Sequence, residues 1–280
     1  MGDEIIFFDN SGLTRLFEER DTDRAALVAG LRTLGTPRVS ALNVYETART
    51  PSEEVRFAKL HFYREVGGDA APVADPMALL AARACSYRDG SGSVEVIDEL
   101  ARRILIGPQI VTGDIRADLS KWSKNQERDF AEMHTQVRTA FDAAYEGIST
   151  RFRSESDFLQ MLFALPELVI HPLIAPPYHL WTGEELEPNE TGRLLDTTPE
   201  WRVFVAALLH ALWLRSATST VASWKRTGIF DTGSAAYLPL CDRFITADHA
   251  QLATLEAANA FNPRRTKVEM FSELKSRLLL

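Results

Sequence analysis

Two short apolar runs, one near each end of the chain, each lead into an acid. Ile5 to Phe8 (I-I-F-F) is unbroken by polar residues, and Asp9-Asn10-Ser11-Gly12 follows at once. A continuous apolar run without alternation is the pattern of a central parallel strand, because both of its faces are covered. Far along the chain, Arg243 to Thr246 (R-F-I-T) has the β-branched and aromatic character of a second buried strand, and Asp248 stands just past its end. Ligands of open parallel sheets bind beyond the carboxyl ends of the strands. The pattern therefore predicts an α/β chain whose Asp9 and Asp248 meet at one sheet edge.

Between and around these runs, the local signals fill in a frame. Ser11 is placed to cap a helix carrying Leu13, Leu16 and Phe17. Asp21 to Leu34 has a second helical pattern, with Gly35 where a helix often ends. Thr36 to Ser40 reads as a short strand, and Ser40 as the N-cap of a helix over Ala41 to Arg49. Glu46 on that helix falls within two turns of the strand's end, a third acid at the same edge. A fourth, Asp231, opens the small apolar stretch Thr232 to Leu238, which Pro239 closes before the last core strand. Asp242 starts that strand from the opposite edge. Thr266 to Phe271 alternates like an edge strand, and Ser272 begins a final helix.

From Pro51 to about Lys225 the texture changes to amphipathic helices. Phe57, Leu60, His61 and Arg64 share one; Met77, Leu80, Ala81 and Ala84 another; Val94, Ile97, Leu100 and Ile104 a third. Asn125 to Tyr145 is the clearest, and Glu200 to Leu214 is apolar nearly all round, as a buried helix would be. Trp201, Trp213 and Trp224 are expected in the core, as is His210. Pro166 to Pro199, rich in proline and turn residues, reads as a long irregular connection. The expected architecture is one domain over 1–280. Its core comes from about 1–50 and 226–280, and 51–225 is an α-helical insertion.

Four converging carboxylates need a counter-charge. Two like charges at about 4 Å repel by roughly 4 kcal/mol at an effective dielectric near 20. All-oxygen ligation favours Mg²⁺ or Mn²⁺. Taken singly the acids have plainer uses: Asp9 or Asp231 could cap a helix, and Glu46 could face solvent. Only the joint arrangement points to chemistry. His171 and His179 lie in the proline-rich stretch without acids patterned around them, and His249 is expected at the surface. The net charge of -8 argues against a generally basic surface that coats nucleic acid, though not against a local groove. Cys85 and Cys241 lie far apart and are expected reduced and buried. The acidic start M-G-D-E is unlike a signal peptide, and Val203 to Leu214 is too short to span a bilayer, so the cytoplasm is the expected location. The G-x-S-x-G, P-loop and G-x-G-x-x-G patterns are absent, which disfavours α/β-hydrolase, NTPase and dinucleotide roles.

F-F-D-N-S-G-L resembles the opening strand and turn of PIN-domain ribonucleases, and V-S-A-L-N-V-Y-E-T-A their second strand and glutamate-bearing helix. D-T-G-S-A-A-Y-L-P-L-C-D-R-F-I-T-A-D resembles the segment that carries their third and fourth acids. The similarity covers the two ends of the chain. It departs from compact PIN domains in the long insertion, and in Ser234 where close relatives of the Tyr-Leu-Pro-x-Cys-Asp stretch tend to carry histidine. The resemblance implies a three-layer PIN-like core with a parallel sheet and a metal-dependent endoribonuclease. Asp9, Glu46, Asp231 and Asp248 would be its Mg²⁺ or Mn²⁺ ligands, with Ser11 and Thr246 supporting them. Arg264, Arg265 and Lys267 are the candidates for contact with RNA phosphates. An antitoxin or other protein partner and a homodimer fit the same frame; a membrane does not. The rival readings are a non-catalytic interaction module and, third, a metal-dependent phosphatase, which D-N-S-G suits poorly because Ser11 stands where a second acid is wanted.

Overall fold

Among the residues that the computed structural model describes (4–92, 95–144, 154–217 and 229–279), four strands form one sheet: β1 (Glu4–Phe8), β2 (Gly35–Arg38), β3 (Arg243–Thr246) and β4 (Lys267–Met270). Every pairing is parallel, in the order β2-β1-β3-β4. Phe7 lies opposite Arg38 on one side and Phe244 on the other, so β1 is central, as its unbroken apolar run requires.

Most of the described chain is helical. After β1 come α1 (Asn10–Glu18) and α2 (Asp21–Leu34); after β2 come α3 (Ala41–Ala48), α4 (Glu53–Gly67), α5 (Pro76–Asp89), α6 (Glu99–Ile106) and α7 (Gly113–Ala144). These are followed by α8 (Glu155–Ala164), α9 (Pro166–Val169), α10 (His171–Thr182), α11 (Thr191–Thr197), α12 (Pro199–Ala217) and α13 (Ile229–Gly233). A 3-10 segment (Ser234–Leu240) leads into β3, then α14 (His249–Asn259), β4 and α15 (Phe271–Leu278) close the chain.

Alternation along the strands divides the core in two. Ile6, Phe8 and Ile245 pack with Leu13, Leu31, Val44, Tyr63 and Leu274 on one face. Phe7 and Phe244 pack on the other with Leu80, Trp201, Val205, Tyr237 and Leu255. The side chain of a strand residue points to the face opposite its neighbour's, so a four-residue apolar run feeds both cores at once. The helical stretch is bonded to the sheet end as well: Val73 donates to the Val39 carbonyl at 3.2 Å and accepts from Ala41 at 2.7 Å.

The expected irregular connection over Pro166 to Pro199 is instead largely helical. Pro166, Pro172 and Pro199 each stand in the first turn of α9, α10 or α12, where a missing N–H leaves no bond unmade. The third expected helix begins only at Glu99, because the Asp98 side chain caps Ala101 at 2.9 Å. Ile97 lies outside it and is exposed. The pattern read over Asn125 to Tyr145 belongs to the longer α7. Val94, Tyr145, Trp224 and Lys225 lie outside the described residues. Trp201 and His210 are buried, as is Cys241, whereas Cys85 and Trp213 are only partly so. No helix among the described residues is long and apolar enough to cross a membrane.

Candidate functional site

The strand order reverses between β1 and β3, since the chain goes from β1 to β2 on one side and from β3 to β4 on the other. Such a switch point opens a crevice at the strand ends. Asp9 is the first residue past β1, and Asp248 the second past β3.

Asp9 is 6% exposed and caps α1, its Oδ1 accepting the Gly12 N–H at 2.6 Å. That corrects the expectation for Ser11, whose hydroxyl is shared between the two Asp9 oxygens at 2.9 and 2.8 Å and accepts the Ala247 N–H at 2.9 Å. Thr246 donates to Asp9 Oδ2 at 2.6 Å and accepts the Asp248 N–H at 3.0 Å. Both expected supporting hydroxyls therefore meet on one carboxylate. A Cβ at position 12 would stand 2.9 Å from the Ile245 carbonyl oxygen, so glycine is what lets α1 start this close to β3. Burial pushes the Asp9 carboxyl up. The bonds from Thr246, Gly12 and Ser11 oppose that, and the Asp248 charge adds to it.

Glu46 is positioned by a capping box. The Ser40 hydroxyl accepts the Asn43 N–H at 3.3 Å and Asn43 Oδ1 accepts the Ser40 N–H at 3.0 Å, starting α3 at the β2 end. Burial holds the Glu46 carboxyl up at about 7; Arg49 opposes the shift, while Asp231 and Asp9 reinforce it. Asp231 lies in α13. Its neighbour Phe230 packs against Trp122 of α7 with ring centroids 5.5 Å apart, and Trp122 meets Tyr45 of α3 at 5.3 Å. Arg49 Nη1 donates to Ser123 of the same helix at 2.7 Å. The long helix α7 thus braces the elements that carry Glu46 and Asp231.

Gln251, 4% exposed in the first turn of α14, reaches into the same group. With its amide nitrogen toward the acids it donates to Asp9 Oδ2 at 2.9 Å and to Asp231 Oδ1 at 3.2 Å. The opposite assignment would set its carbonyl oxygen against two acceptors. Sequence reasoning missed this residue. Asp248-x-x-Gln251 has capping-box spacing, and half of that signal is used: Asp248 Oδ1 accepts the backbone N–H of Ala250 at 2.7 Å and of Gln251 at 3.2 Å. The glutamine side chain goes to Asp9 and Asp231 instead. Tyr63 also went unread; its hydroxyl donates to Asn10 Oδ1 at 3.1 Å.

Asp9, Glu46 and Asp231 are therefore electrostatic neighbours, with the exposed Asp248 beside Asp9. As the side chains stand, no group of three or more His, Cys, Asp or Glu among the described residues is arranged to hold a metal ion. Arg264, Arg265 and Lys267 do not join the acids. Lys267 pairs in register with Arg243 at the entering edge of the sheet, whereas the acids lie past the leaving edge. Four residues of strand separate the edges by about 13 Å. Arg264 is bonded to Asp242 at 2.6 Å, and Lys267 to Glu269 at 2.8 Å. Arg265 is exposed in the same turn, with φ of 57°. His171 and His179 are engaged separately, with Thr191 at 3.0 Å and Glu185 at 3.4 Å. His249 is exposed, as expected.

No family model matches the chain, and no curated protein or solved structure matches it significantly.

Proposed function

We propose that this chain is a cytoplasmic endoribonuclease with a PIN-like core, dependent on Mg²⁺ or Mn²⁺. One observation carries the proposal: acids from both ends of the chain meet at the switch point of a parallel sheet, and Asp231 and Asp9 both push the Glu46 carboxyl up. The motif resemblance supplies the choice of RNA.

The residues present fit a divalent cation by the chemistry of their donors. They are all oxygen, Glu46 is pushed up by both Asp231 and Asp9 against the opposing charge of Arg49, and such mutual repulsion is what a hard cation relieves. Asp9, Glu46, Asp231 and Asp248 would hold it. When bound, the ion supplies Lewis acidity toward a phosphodiester oxygen and acidifies a water molecule.

The chain's own residues do the positioning. Ser11, Thr246 and the Gly12 amide hold the Asp9 carboxylate in one orientation. Asp248 is exposed to solvent beside the buried Asp9.

The test is hydrolysis of a single-stranded RNA with Mn²⁺ by wild type, Asp231→Asn and Asp248→Asn. The expected result is loss of cleavage in both variants. Equal cleavage by all three proteins would overturn the proposal.

A further inference from the structure

Gln251 is an uncharged side chain whose amide nitrogen can donate to two of the four acids at once, and it is buried in doing so. One amide nitrogen lies within hydrogen-bonding reach of both Asp9 Oδ2 and Asp231 Oδ1. A divalent cation shared by the same two carboxylates needs those oxygens for itself. The Asp9 carboxylate is already engaged by Gly12, Ser11 and Thr246, so the amide takes acceptor capacity that a cation would otherwise claim. The far end of the Gln251 amide, in this orientation, places its carbonyl oxygen against donors, which holds the nitrogen on the acids.

We propose that the Gln251 amide is a resident competitor for the cation: it cross-links Asp9 and Asp231 in the metal-free protein and has to be displaced before an ion can bridge them. The inference rests on the metal-dependent reading above and adds a residue to it. Gln251 is then a positioning residue with two opposed effects. It keeps like charges together when no metal is bound, and it raises the concentration of cation needed to load the site.

Calorimetric titration of the purified protein with Mn²⁺, together with its melting temperature in the presence of a chelator, tests this. Gln251→Met keeps the side-chain length and removes the donor. It should bind Mn²⁺ about tenfold more tightly than wild type, the worth of one charge-assisted hydrogen bond, and melt at a lower temperature without metal. Gln251→Asn draws the amide back by one methylene and should move both quantities in the same direction by less, so it decides the matter if the methionine variant does not fold. Asp231→Asn should weaken Mn²⁺ binding. Wild-type binding with no tightening in the Gln251 variants would overturn the competitor role and leave the nuclease proposal standing. No Mn²⁺ binding by wild type or by any variant would overturn both.

Discussion

The Thr246 hydroxyl donates to Asp9 Oδ2 at 2.6 Å across 237 positions of sequence. Both groups are buried, so the bond is made in low dielectric and is charge-assisted when Asp9 is ionised. It joins the end of β3 to the end of β1 and fixes how far apart the two halves of the site can lie.

Thr246→Val keeps the shape and removes the hydroxyl. It should cost about 1.5–3 kcal/mol, the usual worth of a buried hydrogen bond to a charged group, read as a fall in the urea midpoint with an unchanged slope. Thr246→Ser, which keeps the donor and loses a methyl group, should cost about 1 kcal/mol.

Asp248 does two things, and two substitutions separate them. Asparagine keeps the acceptor for the Ala250 and Gln251 amides, so Asp248→Asn should stay within about 0.5 kcal/mol of wild type in stability while losing activity. Asp248→Ala removes the cap as well and should cost about 1 kcal/mol in unfolding free energy.

Stability of the metal-free protein should fall as pH rises. Glu46 goes from its ordinary 4.5 to about 7 in the folded chain, through burial first and then through Asp231 and Asp9, with Arg49 opposing. The folded state therefore binds this proton more tightly than the unfolded state. The stabilisation is fully present below 4.5 and is lost as pH rises through about 7. Glu46→Gln should flatten that slope and gain roughly 1–3 kcal/mol above neutral pH. Urea unfolding with a chelator at several pH values between about 5 and 8 reads it directly; a wild-type curve as flat as the variant's would refute the coupling.

Deep in the helical stretch, Arg83 of α5 and Glu200 of α12 form an ion pair at 2.7 Å with both side chains 5% exposed. The Trp201 indole N–H reinforces the same contact by donating to the Leu80 carbonyl at 3.0 Å. Arg83→Met strands a buried carboxylate and should cost roughly 3–5 kcal/mol, whereas Arg83→Met with Glu200→Leu should recover most of it. Chemical unfolding of the single and double variants measures the difference.

Several parts of the site were legible before any tertiary contact was known. Ser40 caps α3 as its position before an apolar helix implies, and β1 and β3 lie where the apolar runs stop. Ser11 was read as a cap because serine often is one, yet Asp9, two residues earlier, takes that place through Gly12. The proline-rich stretch was misread because proline ends helices but also starts them, and composition alone does not say which. Arg264 and Lys267, read as candidates for phosphate contact, pair with Asp242 and Glu269 at the other edge of the sheet.

By itself the sequence determined where the two central strands run and that Asp9 and Asp248 follow their ends, because burial periodicity and capping are written in near neighbours. Which donor stands between Asp9 and Asp231, and which side chains shift Glu46, was decided only by the tertiary structure. Gln251 and Asp9 are brought together by β1 lying beside β3, and hydrogen bonds form with whatever the packed sheet places within reach.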